Sequence, residues 1–236
     1  MTNSILSSQL GKINSGFARP KKVPYSKIKK VGIIGAGLMG HGIAYVSIYN
    51  DLEVVLLDKT KELANAGLLK IEKILDNEVI SGNISKIKRD QILKLINATD
   101  DITLFEGCDL IIEAVSEDEK LKSDVIKNLK GVINSAVVLS SNTSSIPISK
   151  LAKYSSRPAN FIGIHFFSPV HKMKLVEIIK TKETNIITLA KAFDFITMIK
   201  KVPIVVNDGP GFYTNRTFYS FVKCLLIFIS YFISNL

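Results

Sequence analysis

Lys30-Val-Gly-Ile-Ile-Gly35-Ala-Gly37-Leu38-Met39-Gly40 is the stretch that decides the fold of this chain. Lys30 to Ile34 is a short apolar run that reads as a buried parallel strand, and Met39 to Tyr49 carries apolar residues at helical spacing. The glycines fall between them, so strand, turn and helix come in the order that a dinucleotide-binding turn needs. Gly35 permits the tight turn, Gly37 lets the backbone approach a pyrophosphate, and Gly40 lets the helix pack close to the strand. Leu38 and Met39 stand where the turn meets the helix, at the cofactor, and the free N–H groups of the helix N-terminus receive the pyrophosphate. Eighteen residues past Gly40, at the end of the second apolar run Glu53-Val-Val-Leu-Leu, stands Asp58, placed to accept hydrogen bonds from ribose hydroxyls. A carboxylate there favours NAD and repels the 2'-phosphate of NADP. A glycine turn alone recurs in many folds for structural reasons; strand, helix, second strand and acidic residue together specify the cofactor.

Leu110 to Val115 and Ala136 to Ser140 are further apolar runs, with an amphipathic helix between them at about Asp118 to Leu129. This alternation predicts an α/β fold, a Rossmann-type doubly wound and mostly parallel sheet. A helical excursion over Thr60 to Ile96 interrupts the alternation, with Ser81-Gly-Asn-Ile-Ser as the turn of an inserted helix pair. Lys70, Lys73, Lys86, Lys88, Arg89 and Lys94 within it read first as a solvated helix face and second as a surface for an acidic ligand. Three regions are expected: a tether over 1–29, a nucleotide-binding domain over 30–210, and an apolar region over 211–236 that begins a helical domain.

With 31 Lys and Arg against 21 Asp and Glu, the formal charge is +10, which suits anionic partners. No aromatic-basic interleaving argues for nucleic acid, so phosphorylated small molecules are the economical reading. Cys108 and Cys224 have neither metal-ligand spacing nor a partner framework, which points to no metal and to a reducing compartment. Met1 to Lys30 has no continuous apolar segment of secretory length, and its Ser, Asn, Gly, Pro and Lys content reads as a tether. A mitochondrial transit peptide would be richer in arginine. The bacterial cytoplasm is therefore the expected location, with the mitochondrial matrix as the alternative.

A second patch, Gly163-Ile-His165-Phe-Phe-Ser-Pro-Val-His-Lys-Met-Lys-Leu-Val-Glu177, carries the chemistry. Phe161 to His165 reads as a strand ending on a histidine, and Leu175 to Ile179 as a strand holding Glu177. The intervening residues are long enough to turn the chain, so His165 and Glu177 meet only across adjacent strands. Imidazole can take a proton from a hydroxyl while hydride leaves the same carbon, and a carboxylate orients the ring and stabilises its cation. Taken alone, a histidine at a strand end is more often a hydrogen-bonded structural residue. His41 reads as a packing or surface residue and His171 lies in a charged loop.

Gly35-Ala-Gly-Leu-Met-Gly, Glu113-Ala-Val, Ser141-Asn-Thr-Ser144-Ser, His165-Phe-Phe-Ser-Pro-Val, Leu175-Val-Glu177 and Asp208-Gly-Pro-Gly-Phe-Tyr-Thr-Asn215-Arg together resemble the L-3-hydroxyacyl-CoA dehydrogenase family. The versions here look most like the dehydrogenase part of the multifunctional fatty-acid oxidation alpha subunits. The resemblance implies NAD as cofactor, an acyl-CoA substrate, His165 as general base and Glu177 as its partner. It also implies that Ser144 and Asn215 hold the oxygen-bearing end of the substrate and that Glu113 and Lys120 contact NAD. A homodimer, or the subunits of a fatty-acid oxidation complex, are the partners implied. Many members carry Asn where this chain has Ser168, which lowers any cofactor role for Ser168.

The family continues past Asn215-Arg into a helical domain, whereas Phe218 to Leu236 is nearly all apolar. Lys223 shortens the clean apolar stretch below what a membrane span needs. The segment reads as a helix built to bury itself against further protein, or as the product of an altered reading frame. Two functions follow. The first is an NAD-dependent 3-hydroxyacyl-CoA dehydrogenase of fatty acid β-oxidation. The alternative is a fragment that binds NAD without turnover and acts as part of a complex.

Overall fold

The computed structural model describes Gly11 and residues 18–233. Among the described residues, eight strands form one sheet in the order β3-β2-β1-β4-β5-β6-β7-β8. They are β1 (Lys30–Ile34), β2 (Glu53–Leu57), β3 (Ile96–Thr99), β4 (Leu110–Glu113), β5 (Val138–Ser141), β6 (Phe161–Phe166), β7 (Leu175–Lys180) and β8 (Val202–Asn207). Every neighbouring pair is parallel except β6 with β7. The order reverses between β1 and β4, which opens a crevice at the carboxyl ends of those strands, where open α/β sheets take their ligands.

The helices are α1 (Leu38–Tyr49), α2 (Lys61–Ile80), α3 (Lys86–Leu93), α4 (Glu119–Asn128), α5 (Ile148–Ala152), α6 (Ile186–Met198) and α7 (Thr214–Ile233). Local chemistry starts several of them. Thr60, Ser85, Asp118 and Asn185 each accept a hydrogen bond from a backbone N–H in the first turn of the helix that follows. The strands between them are apolar on both faces, as sheets covered on both sides require. One core layer lies under α1, α2 and α6 and includes Ile33, Ile43, Leu56, Ile112, Ile164 and Phe195. The other lies under α4 and α5 and includes Phe105, Ile111, Ile126, Leu151 and Phe161.

The inserted helix pair is α2 and α3, but the excursion ends sooner than its helical pattern suggests. α3 stops at Leu93, and Ile96–Thr99 pairs with β2 as the sheet edge. α6 and β8 are two further elements beyond those that the apolar runs predict; β8 contains Pro203, which an edge strand tolerates because one side of its backbone needs no partner.

Most of the expected tether lies outside the described residues. Residues 18–29 are docked rather than loose: Arg19 reaches the fully buried carboxylate of Asp194 on α6 through Nε at 2.5 Å and Nη2 at 2.8 Å. Ser26 N–H also donates to Asp194, and Ile28 is buried. Among the described residues no helix is long and apolar enough to cross a membrane. α7 nevertheless exposes Phe218, Tyr219, Phe221, Leu225 and Leu226.

Candidate active site

The glycine turn after β1 is fixed by sterics. Gly35 has φ +97°, and a Cβ there would meet the Ala114 carbonyl oxygen at 2.8 Å. A Cβ at Gly40 would stand 1.7 Å from the Gly35 carbonyl oxygen, so only glycine lets α1 lie this close to the turn. Gly37 is the opposite case: a Cβ there would meet nothing within 4 Å, and α1 has no side-chain cap. Open space in front of an uncapped helix N-terminus fits the pyrophosphate of NAD. Gly67 on α2 belongs to the same arrangement, since its Cβ would press on Ala36 at 2.6 Å.

Asp58 stands at the end of β2. Its carboxylate accepts from Ala36 N–H at 2.7 Å and from Lys59 N–H at 2.7 Å, which ties the second strand to the glycine turn. A cleft of about 380 Å³ passes over it, lined by Gly35, Gly37, Asp58, Leu63 and Val115 among others, and fits an adenosine half.

An adjoining cleft of about 460 Å³ is lined by Gly37, Leu38, Met39, Glu117, Asn142, Ser144, His165, Phe167, Ser168 and Asn215. It gathers the carboxyl ends of β1, β4, β5 and β6. His165 and Glu177 are directly opposed in the antiparallel β6–β7 pairing, as the hairpin spacing requires. The ring Nδ1 lies 2.7 Å from Glu177 Oε2. Because a carboxylate only accepts, Nδ1 carries the proton and Nε2 is left as the basic nitrogen. Glu177 is fully buried, and its other oxygen accepts from Thr214 N–H at 2.8 Å and Tyr213 N–H at 3.2 Å. Burial pushes this carboxyl up, but the bonds from His165 and Thr214 outweigh it and leave the group below the ordinary carboxylate range. Phe167 lies 4.6 Å from the imidazole, centroid to centroid, and Phe212 5.9 Å.

Ser144 and Asn215 meet at the cleft wall, where Asn215 Nδ2 donates to the Ser144 carbonyl at 2.9 Å. Asn142, almost buried, accepts from Phe166 N–H at 2.8 Å and so ties the loop after β5 to the strand bearing His165.

Glu113 and Lys120 are not brought into either cleft. Glu113 is fully buried and accepts from Lys122 Nζ at 2.7 Å, Ser141 Oγ at 2.6 Å and Val115 N–H at 2.7 Å. Lys120 is exposed on α4. The carboxylate that lines the His165 cleft is Glu117, which sequence reasoning passed over. One of its oxygens accepts from Thr143 Oγ1 at 2.6 Å, from the N–H groups of Ser144 and Ser145, both at 3.0 Å, and from Ser145 Oγ at 2.9 Å. Burial raises its pKa, but these bonds and Lys122, at 3.5 Å, bring it down to about 2. Its position in the β4–α4 loop, beside the strand-order reversal, was the available signal.

The other histidines sit apart from the pair. His41 Nδ1 lies 2.6 Å from the Gly37 carbonyl oxygen, and His171 packs edge-on against Tyr45.

The family described as "3-hydroxyacyl-CoA dehydrogenase, NAD binding domain" matches residues 30–209. The structure is similar to (S)-3-hydroxybutyryl-CoA dehydrogenase from Ralstonia eutropha, with 36% identity and a TM-score of 0.79, covering 80% of this chain and 67% of that one. It is also similar to M. tuberculosis FadB2, with 35% identity and a TM-score of 0.83, covering 88% and 74%. The dehydrogenase part of multifunctional enzyme 1 from C. elegans matches with 30% identity and a TM-score of 0.69, covering 78% and 42%. With the nucleotide turn, Asp58 and the cleft in place, the cofactor is NAD, and the chain belongs to the 3-hydroxyacyl-CoA dehydrogenase family of oxidoreductases.

Proposed function

We propose that the chain oxidises (S)-3-hydroxyacyl-CoA to 3-ketoacyl-CoA as a step of fatty acid β-oxidation, with His165 as general base and Glu177 as its partner. The observation that carries this reading is the 2.7 Å His165–Glu177 bond at the wall of a cleft continuous with the nucleotide turn. Glu177 stays ionised and holds the proton on Nδ1, so Nε2 accepts the proton of the substrate's 3-hydroxyl. Bound NAD supplies the acceptor for the hydride that leaves C3, and the C3–O bond becomes a carbonyl. Ser144 and Asn215 hold the 3-oxygen: a hydroxyl and an amide donate to it without competing for the proton. Glu117 orients this wall, because it gathers the backbone of Ser144 and Ser145 onto one oxygen.

The apolar residues that α7 exposes favour a second reading, in which the chain binds NAD and turns over only with a protein partner, a second copy or fatty-acid oxidation complex subunits, against that helix. The test is NADH oxidation by the purified chain on addition of acetoacetyl-CoA, run beside His165→Ala. Turnover in the parent that His165→Ala abolishes supports the dehydrogenase. NADH binding without oxidation in the parent supports the second reading.

A further inference from the structure

Lys201, between α6 and β8, is 9% exposed, and among the described residues no carboxylate pairs with it. Burial accordingly pushes its ammonium below the ordinary lysine range. Holding a cation in such a place is costly unless its donors are used. Lys201 Nζ donates to the carbonyls of Val170 at 2.5 Å and Met173 at 2.7 Å. These belong to the turn that links His165 to Glu177, a turn closed by the N–H groups of Lys172 and Met173 on the Pro169 carbonyl. The lysine is delivered there by Lys200, whose φ of +57° ends α6, and by Lys201 N–H donating to the Ile196 carbonyl.

The opposite side of the same turn rests on α1. Val170 is buried, and a Cβ at Gly42 would stand 2.9 Å from Val170 Cβ, so the valine fills a notch that only glycine leaves open. Just before the turn come Phe167, in contact with the imidazole, and Ser168, on the cleft wall. The turn is thus held between Lys201 and the helix that carries the nucleotide site, and its amino-terminal end is the wall beside His165.

We infer that Lys201 is a positioning residue, which holds Phe167 to Met173 against α1 and so fixes the wall of the cleft beside His165. It touches neither cleft itself. The inference deepens the proposed dehydrogenase reading and rests on it for its catalytic consequence.

The test uses the full chain with Lys201→Met, Lys201→Arg and Gly42→Ala. Lys201→Met keeps the volume and removes the donors, while Gly42→Ala displaces Val170 from the other side. Expected are a kcat for acetoacetyl-CoA reduction lowered about tenfold or more in Lys201→Met, with NADH affinity within about twofold of the parent. Lys201→Arg, which retains donors, recovers part of the loss. Gly42→Ala lowers kcat as well, and the double variant falls short of the product of the two effects. Amide exchange over 168–173 accelerates in Lys201→Met.

A kcat within twofold of the parent in Lys201→Met overturns the inference, as does a fall of kcat and NADH affinity in parallel with the folded fraction. If Lys201→Met fails to fold, an unchanged kcat in Gly42→Ala overturns it. If the parent itself never turns over, the dehydrogenase reading fails, and unchanged exchange over 168–173 in Lys201→Met or Gly42→Ala overturns the clamp separately.

Discussion

Glu177→Gln removes one charge and keeps the volume, and the hydrogen bonds around it show what must follow. The carboxylate accepts from three donors: His165 Nδ1 at 2.7 Å on one oxygen, and Thr214 and Tyr213 N–H at 2.8 Å and 3.2 Å on the other. An amide has one accepting end. If its oxygen stays toward the two backbone N–H groups, its NH2 faces His165, and the ring must present an unprotonated Nδ1. The proton then moves to Nε2, the nitrogen needed to receive the substrate's. If the amide turns round, its NH2 faces two backbone donors in a buried site. The lost charge-assisted bond alone contributes about 1.5–3 kcal/mol. The wrong tautomer adds a catalytic loss; the same exchange of carboxylate for amide beside a catalytic histidine in serine proteases costs about four decades in kcat. We expect kcat to fall about 10³- to 10⁴-fold, or about 4–5.5 kcal/mol of barrier, with NADH affinity unchanged. Steady-state reduction of acetoacetyl-CoA, with NADH binding followed by fluorescence, is the assay. A kcat within tenfold of the parent would show that the pair orients nothing during turnover, and the assignment of His165 as base would lose its support.

Gly40→Ala should be worse tolerated than any other change in the nucleotide turn, because its Cβ lands 1.7 Å from the backbone oxygen of Gly35. Relief means moving the turn by about 1.5 Å, so we expect a stability loss of about 3 kcal/mol and NADH affinity down more than tenfold, read by thermal melting and fluorescence titration. Arg19→Met leaves the buried Asp194 carboxylate, among the described residues, with Ser26 N–H as its one remaining donor, and should cost about 3 kcal/mol in urea unfolding; a loss under about 0.5 kcal/mol would mean that residues 18–29 are not anchored. Glu117, held at about 2 in the folded chain against 4.5 in the free group, stabilises the fold above about pH 4.5, and that contribution fades as pH falls toward 2. The stability gap between the parent and Glu117→Gln should therefore narrow as pH falls through that window, and a gap independent of pH would contradict the assignment.

What the sequence disclosed and what it withheld divide along the range of the forces involved. The glycine turn was legible because its constraints act within a few residues: a positive φ at Gly35 and the close approach at Gly40 exclude side chains whatever the rest of the chain does. His165 and Glu177 were legible as a pair because β6 and β7 are joined by a short connection, which fixes their register. β3 is four residues long and lies at the sheet edge, so its pattern is too short to stand out from the helix before it. Glu117 became a hub only when the loop after β4 met the loop after β5, and no local periodicity records that meeting. Glu113 and Lys120 show the same limit in a finer way. Two residues along a helix turn the side chain by about 200°, so Lys120 and Lys122 occupy opposite faces of α4. Lys122 alone points inward, where its ammonium lies 2.7 Å from Glu113 and 3.5 Å from Glu117 and joins the buried carboxylate to the one in the cleft. A motif that names a lysine on this helix is therefore not enough: the face of α4, set by Ile126 and its packing in the core, selects which lysine reaches the site.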